Sequence, residues 1–104
     1  MDKRTDIIDK AKDYKTLVNS ALHVQIDQYW LYGSYAKGTP NEHSDIDIAM
    51  VVNHINDDVY WDNLPLLWKL TRQVDDRIEP ILIARDTDYA GMIDEIQRTG
   101  ILIS

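Results

Sequence analysis

Residues 44–52 read SDIDIAMVV, and two aspartates, Asp45 and Asp47, sit one residue apart in a stretch that otherwise belongs in a core. Successive side chains of an extended strand point to opposite faces, so residues two apart share one. Asp45 and Asp47 therefore lie on one side, with Cα atoms roughly 6.5–7 Å apart, while Ile46, Ile48 and Met50 turn toward the core. Two such carboxylates without a counter-ion repel, and one titrates upward. A hard divalent cation removes that conflict, and oxygen-only ligands suit Mg²⁺ or Mn²⁺ rather than zinc. The plainer reading of an isolated Asp-x-Asp pair is a solvated strand end. An EF-hand is excluded, because its glycine and spaced oxygen ligands are missing.

Just upstream, residues 32–38 read YGSYAKG. Gly33 lets the backbone approach a ligand closely. Ser34 offers a hydroxyl and a backbone N–H to a phosphate if a helical turn begins there. Neither a Walker loop nor a dinucleotide fingerprint is present. Ser44 is placed to cap or orient Asp45. Tyr32 and Tyr35 flank the turn as packing residues, with contact to a base as the alternative. His23, His43 and His54 lack metal-ligand spacing, although His43 stands beside the acidic strand, near any phosphate bound there.

The elements that must position these groups alternate between helix and strand. Ile7, Ala11, Tyr14, Val18 and Ala21 recur at helical spacing and predict a helix over 6–22, with Thr5 or Asp6 as its N-cap. Residues 25–32 predict a strand ending at Gly33. A single helical turn over 34–37 stops at Gly38, and Pro40 and Asn41 mark a loop over 39–44. A second strand spans 46–52 and a polar turn 53–58. A helix over 59–74 is either started or kinked by Pro65. A third strand, RIEPILIA over 77–84, carries Pro80, which favours a sheet edge or a bulge. A last helix over 89–98, capped by Asp86 or Asp88, stops at Gly100. The apolar tail ILIS then adds a strand or packs on the core. The expected fold is α/β (α+β), a small mixed sheet with helices packed on it.

The 104 residues suffice for one compact domain, 1–104. The formal net charge of −7 argues against duplex DNA or RNA as a partner, because such affinity rests on neutralising phosphates with Lys and Arg. It leaves room for a small anionic ligand held by metal ions. The absence of cysteine removes disulfides and thiolate metal sites. No apolar run approaches the ~20 residues of a membrane span, and the N-terminal MDKRTDIIDK lacks a secretory apolar core. The expected location is the cytoplasm.

Gly-Ser, ten intervening residues and an Asp-x-Asp flanked by apolar residues resemble the signature of the DNA polymerase β-like nucleotidyltransferases. The chain's length resembles that of the minimal nucleotidyltransferase (MNT) domains. The resemblance implies a nucleotidyltransferase fold and a third carboxylate on a later strand, for which Glu79 is the candidate and Asp75 and Asp76 the fallbacks. It implies two Mg²⁺ ions, with Mn²⁺ as substitute, held by Asp45, Asp47 and Glu79. It also implies ATP as the donor of a nucleoside monophosphate to an acceptor hydroxyl. Gly33 and Ser34 would hold the β- and γ-phosphates, with Ser44 also in the nucleotide site, and Lys37, where the family often has arginine, would either neutralise part of the departing pyrophosphate or be a plain surface lysine. Pro80, directly after the third acid, is a further departure that bears on where Glu79 stands.

Relatives that modify small molecules usually carry an acceptor-binding domain, for which 104 residues leave no room. An acceptor would then come from a partner, and MNT domains often pair with a small helical HEPN protein whose tyrosine they adenylylate, acting as antitoxins. The helix over 59–74 offers two apolar stripes: Leu67, Leu70 and Val74, and Trp61, Leu64 and Trp68. One stripe suffices for a core, and the second is read either as a partner surface or as further core. The alternatives are a non-catalytic module that neutralises its partner by contact, and an antibiotic- or metabolite-modifying enzyme with its acceptor pocket built across a homo-oligomer.

Overall fold

The computed structural model describes residues 3–38 and 44–103, with only the backbone of residues 3 and 4. Its elements run α1 (Lys3–Ala21), β1 (Gln28–Tyr32), α2 (Ser34–Lys37), β2 (Ile46–Val52), α3 (Asp57–Thr71), β3 (Ile78–Ala84), a 3₁₀ turn (Arg85–Thr87), α4 (Met92–Thr99) and β4 (Ile101–Leu102). The four strands form one sheet in the order β3-β2-β1-β4. β1 is antiparallel to β2 and to β4, whereas β2 and β3 are parallel. A parallel pair needs a crossover, which α3 supplies.

Strand parity sorts the side chains. Ile46, Ile48, Met50 and Val52 are buried on one face, alongside Ile78, Leu82 and Ala84 of β3 and Tyr29 and Leu31 of β1. α1 contributes Ile7, Ala11, Tyr14, Val18 and Leu22 to this core, and α3 contributes Leu67 and Leu70. Tyr14 is fully buried, and its hydroxyl donates to the Leu67 carbonyl at 2.6 Å, fastening α1 to α3 without leaving a buried polar atom unpaired. The opposite face carries Asp47, Ala49 and Val51 and is covered in part by α4, whose Ile93 and Ile96 are buried. The acids thus project from the sheet face that α1 and α3 leave uncovered.

Several boundaries differ from the sequence expectations. β1 begins at Gln28 rather than Gln25, because Gln28 pairs with Val51 and the chain beyond Val52 turns away, leaving residues 25 and 26 no ladder partner. α3 starts at Asp57, where the Asn56 side chain accepts the Val59 N–H at 2.9 Å. Pro65 lies inside α3 rather than at its start, and the helix ends at Thr71, short of Val74. Of its two stripes, Leu67 and Leu70 enter the core with Val74 half-buried behind them, whereas Trp61 and Trp68 are 65% and 46% exposed. Asp88 caps α4 by accepting the N–H groups of Met92 and Ile93, so the helix starts at Met92, not Tyr89. The tail adds a strand, β4, and Ile103 beyond it is buried. The loop expected over 39–44 falls, apart from Ser44, outside the described residues, as does His43.

Candidate active site

β2 and β3 run side by side in register, with Asp47 opposite Glu79 and Ile48 opposite Pro80. The Ile46 N–H donates to the Arg77 carbonyl at 2.9 Å. In a parallel ladder that phase turns the backbone groups of Glu79 toward β2 and the nitrogen of Pro80 toward the open edge. Pro80 therefore removes no bond to β2, and Glu79 keeps a regular strand position. Asp45 lies just ahead of β2 on the Asp47 side. One carboxylate oxygen from each of Asp45, Asp47 and Glu79 lies within 4.8 Å of the other two. Asp45 and Glu79 are exposed and Asp47 is half-buried.

Burial, the charges of Glu79 and Asp45, and a hydrogen bond shared with Glu79 push the Asp47 carboxyl up to about 6. Tyr32 is the β1 partner of Asp47 and shares its face. Burial, followed by the charges of Asp47 and Glu79, pushes its phenol up to about 12, so it stays protonated at neutral pH. Three carboxylates gathered this closely form a strongly negative cleft, and they present only oxygen. This donor set fits a hard divalent cation such as Mg²⁺ or Mn²⁺.

The Gly33 turn is built against the same cluster. Gly33 has φ 75° and ψ −154°, a conformation in the left-handed half of the map. A Cβ placed there would lie 2.1 Å from Asp47 Oδ2. Only a residue without a side chain lets the backbone pass this close to the carboxylate. Ser34 opens α2 half-buried, and the Lys37 N–H closes the turn onto the Gly33 carbonyl at 3.1 Å. Gly38 ends α2 in the left-handed region.

The structure therefore gathers Asp45, Asp47 and Glu79 and sets Gly33 against them. Ser34 follows in the same turn. Ser44 is half-buried next to Asp45, and Lys37 is exposed at the end of α2. The fallback acids go elsewhere. Asp75 is engaged by Lys10 and Arg77, and Asp76 is exposed beside Pro65, Trp68 and Arg72. Tyr35 packs in the core, and its hydroxyl accepts a bond from Arg77. Sequence reasoning missed that link between α2 and β3, because an arginine at a strand start carries no pattern naming a partner 42 residues away.

Residues 6–104 match the family described as Polymerase beta, Nucleotidyltransferase. The chain is 28% identical over 97 residues to a Methanocaldococcus jannaschii protein provisionally named a protein adenylyltransferase, spanning 92% of this chain and 97% of that one. Its fold is similar to that of a candidate nucleotidyltransferase from Sulfolobus solfataricus, with TM-score 0.66 at 21% identity, covering 95% of this chain and 80% of the other. It is also similar to a chain in a complex of tri-AMPylated Shewanella oneidensis HEPN toxin with its MNT antitoxin. There the TM-score is 0.60 at 17% identity, covering 94% of this chain and 71% of that one.

Proposed function

This chain belongs to the Polymerase beta nucleotidyltransferase family, and on that premise we propose that it moves AMP from ATP to a tyrosine hydroxyl of a small helical HEPN-type partner, acting as its antitoxin. The enzyme class is that of the family. The observation that carries the rest is the meeting of the Asp45, Asp47 and Glu79 carboxylates within 4.8 Å beside Gly33.

In this reading Asp45, Asp47 and Glu79 hold Mg²⁺, which when bound supplies positive charge to the transferring phosphoryl group and the departing pyrophosphate. Gly33 and Ser34 receive the β- and γ-phosphates on a backbone that no side chain obstructs. Lys37 offsets charge on the pyrophosphate. The acceptor oxygen bonds to the α-phosphorus, the bond from that phosphorus to the oxygen bridging the β-phosphate breaks, and Glu79 takes the hydroxyl proton. Such a transfer needs alignment and charge stabilisation more than covalent chemistry, which suits a cleft of carboxylates and backbone.

The exposure of Asp45 and Glu79, with Glu79 on an edge strand, supports an acceptor brought by another protein. The M. jannaschii relative, provisionally a protein adenylyltransferase, and the structural neighbour bound to an AMPylated HEPN toxin support the same acceptor class. Trp61 and Trp68 offer that partner an aromatic surface, and tryptophan is enriched at binding hot spots. Among the described residues no helix is long and apolar enough to cross a membrane.

The test uses ATP labelled on its α-phosphate, Mg²⁺ and a HEPN-type protein co-purified with this chain. Label should appear on a HEPN tyrosine and vanish with Asp45→Asn/Asp47→Asn. Label that persists in the double variant, or none with the parent protein, would defeat the proposal.

A further inference from the structure

Asp75, Arg77 and Tyr35 form a hydrogen-bonded chain that the transfer chemistry leaves unused. The Arg77 Nε and Nη2 donate to the two oxygens of Asp75 at 3.0 and 2.8 Å, and its backbone N–H donates to Asp75 Oδ1 at 2.9 Å. Lys10 of α1 donates to the same carboxylate at 2.7 Å. With two nitrogens committed, the planar guanidinium leaves Nη1 pointing in one direction, where it donates to the Tyr35 hydroxyl at 2.9 Å.

The position of Arg77 in the fold gives this chain its meaning. Its carbonyl accepts the N–H of Ile46, the residue between Asp45 and Asp47. It stands two residues before Glu79. Its side chain reaches Tyr35, which is buried within the four-residue α2. So short a helix cannot hold its own conformation, because nucleating a helical turn fixes many dihedrals for one hydrogen bond. Yet the preceding turn has no slack: a Cβ on Gly33 would already collide with Asp47 Oδ2. Contacts outside α2 must hold it in place, and two are seen: the burial of Tyr35 and Ala36, and the bond from Arg77 that fixes the Tyr35 hydroxyl.

We propose that Arg77, clamped by Asp75, is a positioning residue that fixes the Gly33–Ser34 turn against the acidic cluster through the Tyr35 hydroxyl, and so sets the affinity for the donor's phosphates. This rests on the reading that Gly33 and Ser34 hold those phosphates. Arg77 touches no substrate; it acts through Tyr35. Lysine cannot replace it, because a single ammonium does not span Asp75 and Tyr35 in fixed geometry.

The test compares Tyr35→Phe, Arg77→Lys and the double variant. Mn²⁺ affinity is read by electron paramagnetic resonance, and Mg²⁺-dependent binding of a non-hydrolysable ATP analogue by calorimetry. Tyr35→Phe removes one oxygen and keeps the packing, so it guards against a variant that fails to fold. Mn²⁺ alone should bind each variant as it binds the parent, while nucleotide affinity falls about fivefold in each single variant. The double variant should be no weaker than Arg77→Lys. Unchanged nucleotide affinity, parallel loss of Mn²⁺ and nucleotide, or additive losses would each overturn the assignment. A parent protein that binds Mn²⁺ but no nucleotide would overturn the phosphate reading and this inference with it.

Discussion

Asp47 opposes its own fold in the absence of metal. Its carboxyl titrates near 6 in the native state against an ordinary 3.8, so between those values the folded protein binds more protons than the unfolded one. Linkage then makes metal-free stability rise as pH falls from 7 through 6 toward 4. Asp47→Asn should therefore raise the melting temperature of the metal-free protein at pH 7 by a few degrees while abolishing Mn²⁺ binding and lowering transfer by about 100-fold or more. Calorimetric scans at pH 5 and 7, with and without EDTA, check the first part; an unchanged or lower melting point at pH 7 contradicts it. Gly33→Ala presents the same geometry from the other side. It would place a Cβ against Asp47 Oδ2 and demand positive φ of a residue that resists it. The expected loss is about 1–2 kcal/mol in urea unfolding, together with loss of Mn²⁺ affinity.

At the scale of elements, the start of β3 is fastened by charge and the outer face of α3 is left open. Hydrogen bonds from Arg77, outweighing the opposing effect of burial, and a further bond from Lys10 hold the Asp75 carboxyl well below the usual carboxylate range. A depressed folded value means that this contribution is complete above the unfolded pKa of ~3.9 and disappears as pH falls through the folded one. Asp75→Asn should cost about 2 kcal/mol, and the gap from the parent should persist at pH 5 and narrow only in stronger acid. Equilibrium unfolding at pH 7, 5 and 2.5 reads this out, and a gap already closed at pH 5 would contradict it. On α3, Trp61→Ala/Trp68→Ala removes exposed rings, so stability should move by no more than about 0.5 kcal/mol. Capture of the proposed HEPN-type partner should weaken by about 2 kcal/mol or more, measurable by titration calorimetry. Normal capture by a normally folded double variant would move the docking surface elsewhere.

For the molecule as a whole, the net charge of −7 opposes an anionic ligand that comes without a metal ion. ATP alone meets a cleft of three carboxylates and should not raise the melting temperature, whereas ATP with Mg²⁺ should raise it in proportion to ligand excess over the dissociation constant. Thermal shift with and without EDTA decides this. Much of the molecule was legible in one dimension. Ile7, Ala11, Tyr14 and Val18 mark α1 because helical periodicity is written locally. The acids of β2 stood out because alternation puts Asp45 and Asp47 on one face whatever the strand pairs with. Ser34 and Gly38 bounded α2 for the same local reason. Boundaries drifted where a partner decides them: β1 is short because β2 turns away at Val52, and α4 begins at Met92 because Asp88 reaches forward to cap it. The sequence alone determined that two carboxylates share a strand face and that a flexible glycine precedes them, since backbone geometry dictates both. Only the tertiary structure decided that Glu79 stands in register with Asp47, that Gly33 has no room for a side chain, and that Arg77 reaches Tyr35. Each of these depends on which strands and turns become neighbours, and that is settled by packing of the whole chain.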